Sequence, residues 1–148
     1  MKRREFLVGT AAAVLAAAGA GRAGAGAPPE AVEGLRRLSD PHSPSVLEQK
    51  HVPGIEAPAR VKAGDWFDVK VRVGYRVTHP SAAKHWITWI ALRVDGAEVG
   101  RVTYPVGGVA APEARFRIRI DRPARLEAVE HCNLHGTWIG EPVEVAAA

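Results

Sequence analysis

The chain has 148 residues, and 47% of them are hydrophobic, which is enough for one domain with an apolar core. Its formal net charge is +4, but residues 1–27 hold four of the twenty basic residues and one of the sixteen acidic residues. The remaining chain is therefore close to neutral, which argues against a nucleic acid as its partner.

Residues 1–27 are predicted to form a signal peptide of the twin-arginine type. A basic start at residues 1–4 precedes an apolar stretch at residues 6–20, and small residues suited to cleavage follow. Residues 3–7 (RREFL) resemble the twin-arginine pattern RRxFL. We therefore expect export to the periplasm and removal of this segment. Glycines and Arg22 interrupt the apolar stretch, so we expect no stable membrane anchoring.

Residues 28–45 are expected to be an N-terminal linker, in which residues 30–38 allow a short helix. Prolines then favour a loop over residues 39–44, which contains His42, an exposed histidine without an assigned role. The folded domain is expected to span residues 46–148. Pro53 and Gly54 closely follow His51, and we expect that histidine in an extended, non-helical segment.

The clearest predicted strand carries apolar residues at every second position from Val69 to Val77. His79 continues that phase just beyond the strand. The next run begins at His85, and its alternate residues would share one face: His85, Ile87, Trp89 and Ala91. Both histidines are therefore expected to point toward the core side.

Asp95-Gly96 predicts a type I′ hairpin turn, and further strands are expected at residues 99–104, 116–120, 126–132 and 143–145. No helix longer than about three turns is indicated after residue 40. This pattern predicts an all-β fold, an immunoglobulin-like antiparallel β-sandwich of about seven strands. Near the end of the 126–132 strand, Glu130 shares the phase of the apolar residues whereas Val129 does not, a conflict that a β-bulge would resolve.

Several other side chains are expected to be structural. Arginines at positions 115, 117 and 119 need be no more than a solvated strand face, and His131 is given no role in a site. Trp86, Trp89 and Trp138 are expected in the sandwich core or in the apolar wall of a site, and Trp66 at the core edge.

Cys132 is the only cysteine, and His135 follows three residues later. A thiolate and an imidazole at this spacing can bind one metal ion, which would protect an unpaired thiol in an oxidising compartment. Three upstream histidines, His51, His79 and His85, could complete the site. Imidazole and thiolate donors exclude the all-oxygen sites of calcium and magnesium. Five donors are also more than the four that a structural zinc ion needs, whereas iron(II) accepts five donors and leaves a sixth position open.

Two other functions fit parts of the pattern. Cys-x-x-His on a β-sandwich also occurs in cupredoxin-like electron carriers that bind copper, although the only methionine available as their axial ligand is Met1. A secreted β-sandwich interaction module would need no metal, but it leaves the unpaired thiol and the histidine spacing unexplained.

Three segments occur in order along the chain: Lys50-His51-Val52-Pro53, then His79-Pro80-x4-His85-x-Ile87-x-Trp89-Ile90, then Cys132-Asn133-x-His135-Gly136-x-Trp138. Together they resemble superoxide reductases of the neelaredoxin class, which are homologous to the iron-binding domain of desulfoferrodoxin. The resemblance covers roughly residues 40–145. The four-cysteine, rubredoxin-like centre of desulfoferrodoxins is missing, since this chain has one cysteine.

The resemblance implies an oxidoreductase that reduces superoxide by one electron to hydrogen peroxide. Its cofactor would be one mononuclear non-haem iron per chain, cycling between Fe(2+) and Fe(3+). It implies an axial thiolate from Cys132 and four equatorial imidazoles, from His51, His79, His85 and His135. Lys50 would attract superoxide and help to organise proton delivery. The electron donor would be a separate, unidentified protein. Members of this family are commonly homo-oligomers, which implies a possible homo-oligomer here.

The sequence departs from the family's pattern at one position. A glutamate commonly precedes the lysine and binds the oxidised iron as a sixth ligand, but Gln49 stands there, with Glu48 one residue upstream. A neutral amide cannot replace that carboxylate. We expect either that Glu48 swings in as the sixth ligand or that the ferric site keeps water or hydroxide.

Overall fold

A computed structural model describes residues 34–148 of the chain. The signal peptide predicted at residues 1–27 lies outside the described residues, and so does the beginning of the predicted linker. No helix within residues 34–148 has the length and apolarity needed to cross a membrane.

The described residues form one short helix and nine strands. In chain order these are α1 Val46–His51, β1 Pro53–Glu56, β2 Arg60–Val61, β3 Phe67–Val73, β4 Ile87–Val94, β5 Ala97–Thr103, β6 Glu113–Ile118, β7 Ala124–Cys132, β8 Gly136–Ile139 and β9 Val143–Ala147.

The strands build two sheets. The smaller has the order β1-β3-β6, and the larger runs β2-β9-β7-β4-β5, with β8 also paired to β7. Every pair is antiparallel except β2 with β9. The predicted immunoglobulin-like antiparallel β-sandwich is confirmed. Strands β1, β2 and β8 were not predicted, because segments of four, two and four residues are too short to show a period-two alternation.

Alternate residues of the strands fill the space between the sheets. Val69, Val71 and Val73 of β3 are completely buried, and Leu92 of β4 and Leu126 of β7 meet them from the other sheet. Burying an aliphatic side chain of this size stabilises the fold by roughly 1.5–3 kcal/mol. This core holds β3, β4 and β7 in place, and the site residues lie at or near the ends of these strands.

Two turns depend on residues that accept a positive φ. The β4–β5 turn has the predicted type I′ form, with φ of 49° at Asp95 and 84° at Gly96. The strand predicted to reach Val77 ends at Val73, because Gly74 redirects the chain with φ of 88°. A Cβ atom at position 74 would lie 2.1 Å from the Val77 carbonyl oxygen, so glycine is required there.

The prediction of an extended segment at His51 is wrong, because His51 is the last residue of α1. Ser45 and Glu48 form a capping box, in which each side chain accepts a hydrogen bond from the backbone N–H of the other. The helix predicted over residues 30–38 is absent from its described part, residues 34–38. Arg36 instead forms a parallel bridge with Trp138 of β8.

A register shift between Ile87 and Trp89 changes which residues of β4 face the core. Ile87 and Ile90 face inward, whereas Trp89 lies on the outer face, where its ring stacks on His131 at 5.8 Å. The prediction that Ile87 and Trp89 share one face is therefore wrong, and Trp89 belongs neither to the core nor to the wall of the site.

The bulge lies in β4 rather than in β7, so β7 keeps its alternation and Glu130 points inward in phase with Cys132. Trp66 also differs from its prediction. It is 57% exposed, with the Arg119 guanidinium 5.1 Å from its ring, and it does not contribute to the core edge.

Candidate metal centre

Separate elements bring the five predicted ligands together. His51 ends α1, His79 and His85 lie in the connection from β3 to β4, Cys132 ends β7, and His135 lies in the turn before β8. The chain therefore assembles the site from three regions that are distant in sequence.

The four imidazoles stand at the corners of a square. Ring centroids of neighbouring histidines are 4.7 Å apart for His51 and His79, 4.6 Å for His79 and His85, 4.9 Å for His85 and His135, and 4.6 Å for His135 and His51. Neighbouring ring planes meet at 68–79°. His51 and His85, at opposite corners, are 6.1 Å apart with planes 28° from parallel. Four rings arranged in this way can direct one nitrogen each toward a common point.

The donor atoms of His51, His85, Cys132 and His135 all lie within 4.8 Å of one another. The Cys132 sulfur is 3.5 Å from Nδ1 of His135. His79 lies outside that tight group, but it completes the square beside His51 and His85. The structure thus places all five predicted residues in one cluster.

Hydrogen bonds orient two of the rings. Nδ1 of His51 lies 2.7 Å from the Leu47 carbonyl oxygen, and Nδ1 of His79 lies 2.6 Å from the Pro80 carbonyl oxygen. A carbonyl acceptor at Nδ1 selects the tautomer whose Nε2 has a free lone pair. The Nε2 atoms of His51, His79 and His85 are buried and have no hydrogen-bond partner among the described residues. Buried nitrogens without partners are costly, and a bound metal ion would satisfy them.

Burial favours the neutral form of His51, His79 and His85, which is the form that binds a metal. It lowers the pKa of His79 to about 4, with the neighbouring His51 contributing. Burial also lowers the pKa values of His51 and His85, and the Lys50 ammonium and His135 add to the effect at His85. His51 and His79 are fully enclosed whereas His85 and His135 are partly exposed, so one side of the cluster is open.

Two acidic side chains of β7, Cys132 and Glu130, are also buried. Cys132 is completely buried, and burial raises the pKa of its thiol, while the backbone N–H groups of Leu134 and His135 lower it. Glu130 is also completely buried, and neither carboxylate oxygen has a hydrogen-bond partner among the described residues. This burial raises the pKa of Glu130 to about 9, so its carboxyl group is neutral at pH 7.

Sequence reasoning missed a clamp between the two loops of the site. The Asn133 side chain accepts a hydrogen bond from the Trp86 N–H at 2.9 Å and donates one to the Lys84 carbonyl oxygen at 3.0 Å. The Asn133 N–H also donates to the Trp86 carbonyl oxygen at 3.2 Å. This clamp fixes the segment around His85 relative to Cys132. No pattern in a single sequence pairs residues that lie so far apart.

A second anchor holds the segment that carries His79. Beyond Gly74 the chain folds back, and the Val77 N–H donates to the Gln49 carbonyl oxygen at 3.3 Å. The His79 N–H donates to the Val73 carbonyl oxygen at 3.2 Å. These bonds place His79 beside α1 and therefore beside His51.

The domain model of the desulfoferrodoxin family matches residues 43–141, which is most of the described chain. The chain belongs to the desulfoferrodoxin family. It is 43% identical over 94 residues to the desulfoferrodoxin of Nitratidesulfovibrio vulgaris, an alignment that covers 64% of each protein. The chain thus spans less than two thirds of that relative's length.

Shorter members of the desulfoferrodoxin family are covered more fully. The superoxide reductase of Thermococcus kodakarensis is 38% identical over 101 residues, which are 63% of this chain and 85% of that protein. The solved structure of the superoxide reductase (neelaredoxin) of Ignicoccus hospitalis has 37% sequence identity and a TM-score of 0.59, over 66% of this chain and 81% of that one. A superoxide reductase described as putative, from Thermotoga maritima, gives a TM-score of 0.64 at 26% identity, over 77% of this chain and 94% of that one.

Glu48 does not point at the imidazoles in this member of the desulfoferrodoxin family. One carboxylate oxygen accepts hydrogen bonds from the N–H and hydroxyl of Ser39, and the other accepts the same pair from Ser45, all at 2.7 Å. The bonds from Ser45 and Ser39 lower the pKa of Glu48 to about 2. Swinging toward the site would break all four bonds, so the structure argues against the expectation that Glu48 is the sixth ligand. The Ser45-x-x-Glu48 pattern is a recognisable capping box, and it could have revealed this role in the sequence.

The Gln49 side chain is also tied to the segment before α1, because its Nε2 donates a hydrogen bond to the Pro44 carbonyl oxygen at 3.0 Å. Lys50 follows in the last turn of α1, close enough to His85 to lower the pKa of that imidazole. Trp138 is 3% exposed and stacks on His51 at 5.3 Å, so its predicted place in the apolar wall of the site is confirmed.

Proposed function

We propose that this protein is a superoxide reductase, which reduces superoxide to hydrogen peroxide at a single non-haem iron. The observation that carries the proposal is the square of four imidazoles beside a buried thiol, with three buried Nε2 atoms that have no hydrogen-bond partner within residues 34–148. Membership of the desulfoferrodoxin family and likeness to proteins named superoxide reductases support the same reading.

The donor set fits iron. His51, His79 and His85 would bind the iron through Nε2, and His135 and Cys132 would supply the fourth imidazole and the thiolate. Imidazoles and a thiolate suit iron, whereas calcium and magnesium prefer oxygen donors. Iron bound by these five donors could still accept one further ligand, and the partial exposure of His85 and His135 makes the site accessible from solvent. Cys132 would bind as the thiolate, so metal binding must overcome the raised pKa of the buried thiol.

Each turnover consumes one electron and two protons for each superoxide converted to hydrogen peroxide. Iron(II), if held by these residues, would supply the electron, and a separate one-electron donor protein would have to replace it. The Lys50 ammonium attracts the superoxide anion toward the open side and stabilises negative charge as protons arrive. His85 and His135 are partly exposed, so this side of the site is accessible to solvent, which favours protonation and release of the product.

We infer that residues 1–27 direct export by the twin-arginine route and that the mature protein works in the periplasm. Sequencing the N-terminus of the protein recovered from the periplasm tests this inference, and an uncut protein recovered from the cytoplasm would contradict it.

Stopped-flow mixing of the iron(II)-loaded chain with superoxide tests the enzyme proposal. We expect rapid oxidation of the iron and about one hydrogen peroxide per iron, as the one-electron chemistry requires. His42→Ala is the matched control, because His42 is an exposed loop histidine outside the cluster, and it should react like the unchanged protein. An iron-loaded protein that does not react with superoxide would refute the enzyme proposal.

A further inference from the structure

Arg36 joins the edge of β8 from outside the region that defines the family. Its N–H donates to the Thr137 carbonyl oxygen, and its carbonyl oxygen accepts a hydrogen bond from the Ile139 N–H, both at 2.9 Å. These two bonds flank Trp138, with which Arg36 forms the parallel bridge. The family match begins only at residue 43, so this contact is an addition made by the N-terminal segment of the chain.

The Arg36 side chain continues toward the same tryptophan. Its guanidinium carbon lies 5.4 Å from the centre of the Trp138 ring, within the distance at which a cation is attracted to an aromatic face. The Trp138 ring in turn stacks on His51, with centroids 5.3 Å apart and planes 25° from parallel. Its indole N–H donates to the His135 carbonyl oxygen at 3.2 Å. Trp138 therefore links Arg36 to two of the four histidines.

This arrangement places a permanent positive charge one aromatic ring away from His51. Arginine stays protonated at every physiological pH, so the charge cannot be lost by titration. Oxidation of iron(II) bound by these histidines to iron(III) would add one positive charge to the site. A fixed cation nearby disfavours that added charge and so favours the reduced state.

Resting on the iron site proposed above, we propose that Arg36 is a positioning residue that holds Trp138 against His51 and raises the reduction potential of the bound iron. The effect is electrostatic as well as mechanical, so a lysine at this position preserves part of it and a neutral side chain loses it. Because Arg36 is exposed, the electrostatic share weakens as ionic strength rises.

Redox titration of the full iron-loaded chain, followed by the optical and EPR signals of the ferric form, tests this proposal. The variants are Arg36→Gln and Arg36→Lys, with Arg37→Gln as the matched control. Arg37 is exposed on the same segment, and its substitution by glutamine removes the same charge. We expect the midpoint potential to fall in Arg36→Gln, to recover partly in Arg36→Lys, and to stay near the original value in Arg37→Gln.

Equal potentials in Arg36→Gln and the unchanged protein would overturn the proposal, and so would equal shifts in Arg36→Gln and Arg37→Gln. A fall in Arg36→Gln without any recovery in Arg36→Lys would overturn its electrostatic part. The titration contains no superoxide, so a protein that binds iron but fails to react with superoxide still gives a decisive answer. Failure of the enzyme proposal is therefore distinguishable from failure of this one.

Discussion

The buried Glu130 makes the stability of the folded protein depend on pH. Its pKa is about 9 in the folded protein because the carboxyl is fully buried, against an ordinary value of 4.5. Between these two pH values the folded state keeps a proton that the unfolded state has lost. The folded protein therefore binds more protons, and the free energy of unfolding must fall as the pH rises.

Each pH unit in that window changes the free energy of unfolding by about 1.4 kcal/mol. From pH 5 to pH 8 the contribution of Glu130 thus amounts to a loss of about 4 kcal/mol. Glu130→Gln replaces the neutral carboxyl by a neutral amide of nearly the same size, which cannot titrate. We expect the variant to lack this decline, so that it gains on the unchanged protein by about that amount as the pH rises from 5 to 8.

Urea unfolding of the metal-free protein at several pH values measures this difference. Glu144→Gln on the neighbouring strand β9 is the control, since Glu144 is exposed and its variant should follow the pH profile of the unchanged protein. Parallel profiles for Glu130→Gln and the unchanged protein would refute the reasoning, because they would mean that Glu130 is ionised in the folded state.

Three further substitutions probe the site. Lys50→Ala should slow the reaction with superoxide by about threefold to tenfold at low ionic strength and by less at high salt, because one steering charge is lost. If the substitution leaves the rate unchanged at both ionic strengths, Lys50 has no part in the mechanism. Asn133→Ala should lower the free energy of unfolding by about 2 kcal/mol, roughly 1 kcal/mol for each lost side-chain hydrogen bond, as measured by chemical unfolding. An unchanged free energy of unfolding would show that these hydrogen bonds do not stabilise the fold. Gln49→Glu cannot donate to the Pro44 carbonyl oxygen, so its freed carboxylate should compete for the sixth position and weaken azide binding to the ferric protein. Equal azide affinities in an optical titration would contradict that.

The sequence alone predicted the β-sandwich and the five residues that lie together in the site. Period-two alternation identified β3, and Asp95-Gly96 identified the β4–β5 hairpin, because both signals are local. The histidines could be grouped because three short segments resembled one family.

Other features depend on contacts that local patterns do not encode. The bulge in β4 moved Trp89 to the outer face, and alternation alone cannot show where a register shifts. The proline and glycine that follow His51 led to the prediction of an extended segment. The capping box of Ser45 and Glu48 instead stabilises a helix that ends at His51. The approach of Arg36 to Trp138 joins residues 102 positions apart, beyond the reach of any single-sequence rule.

The metal content of the purified chain tests the central claim most directly. The proposed site predicts about one iron per chain in the unchanged protein and in His42→Ala, and a large loss of iron in His79→Ala, because one of five donors is removed. His79 is the informative position, since its donor lies outside the tight group formed by the other four residues. Stoichiometric copper would favour an electron carrier, and a chain purified without any metal, or one that keeps its iron in His79→Ala, would contradict the five-donor iron site.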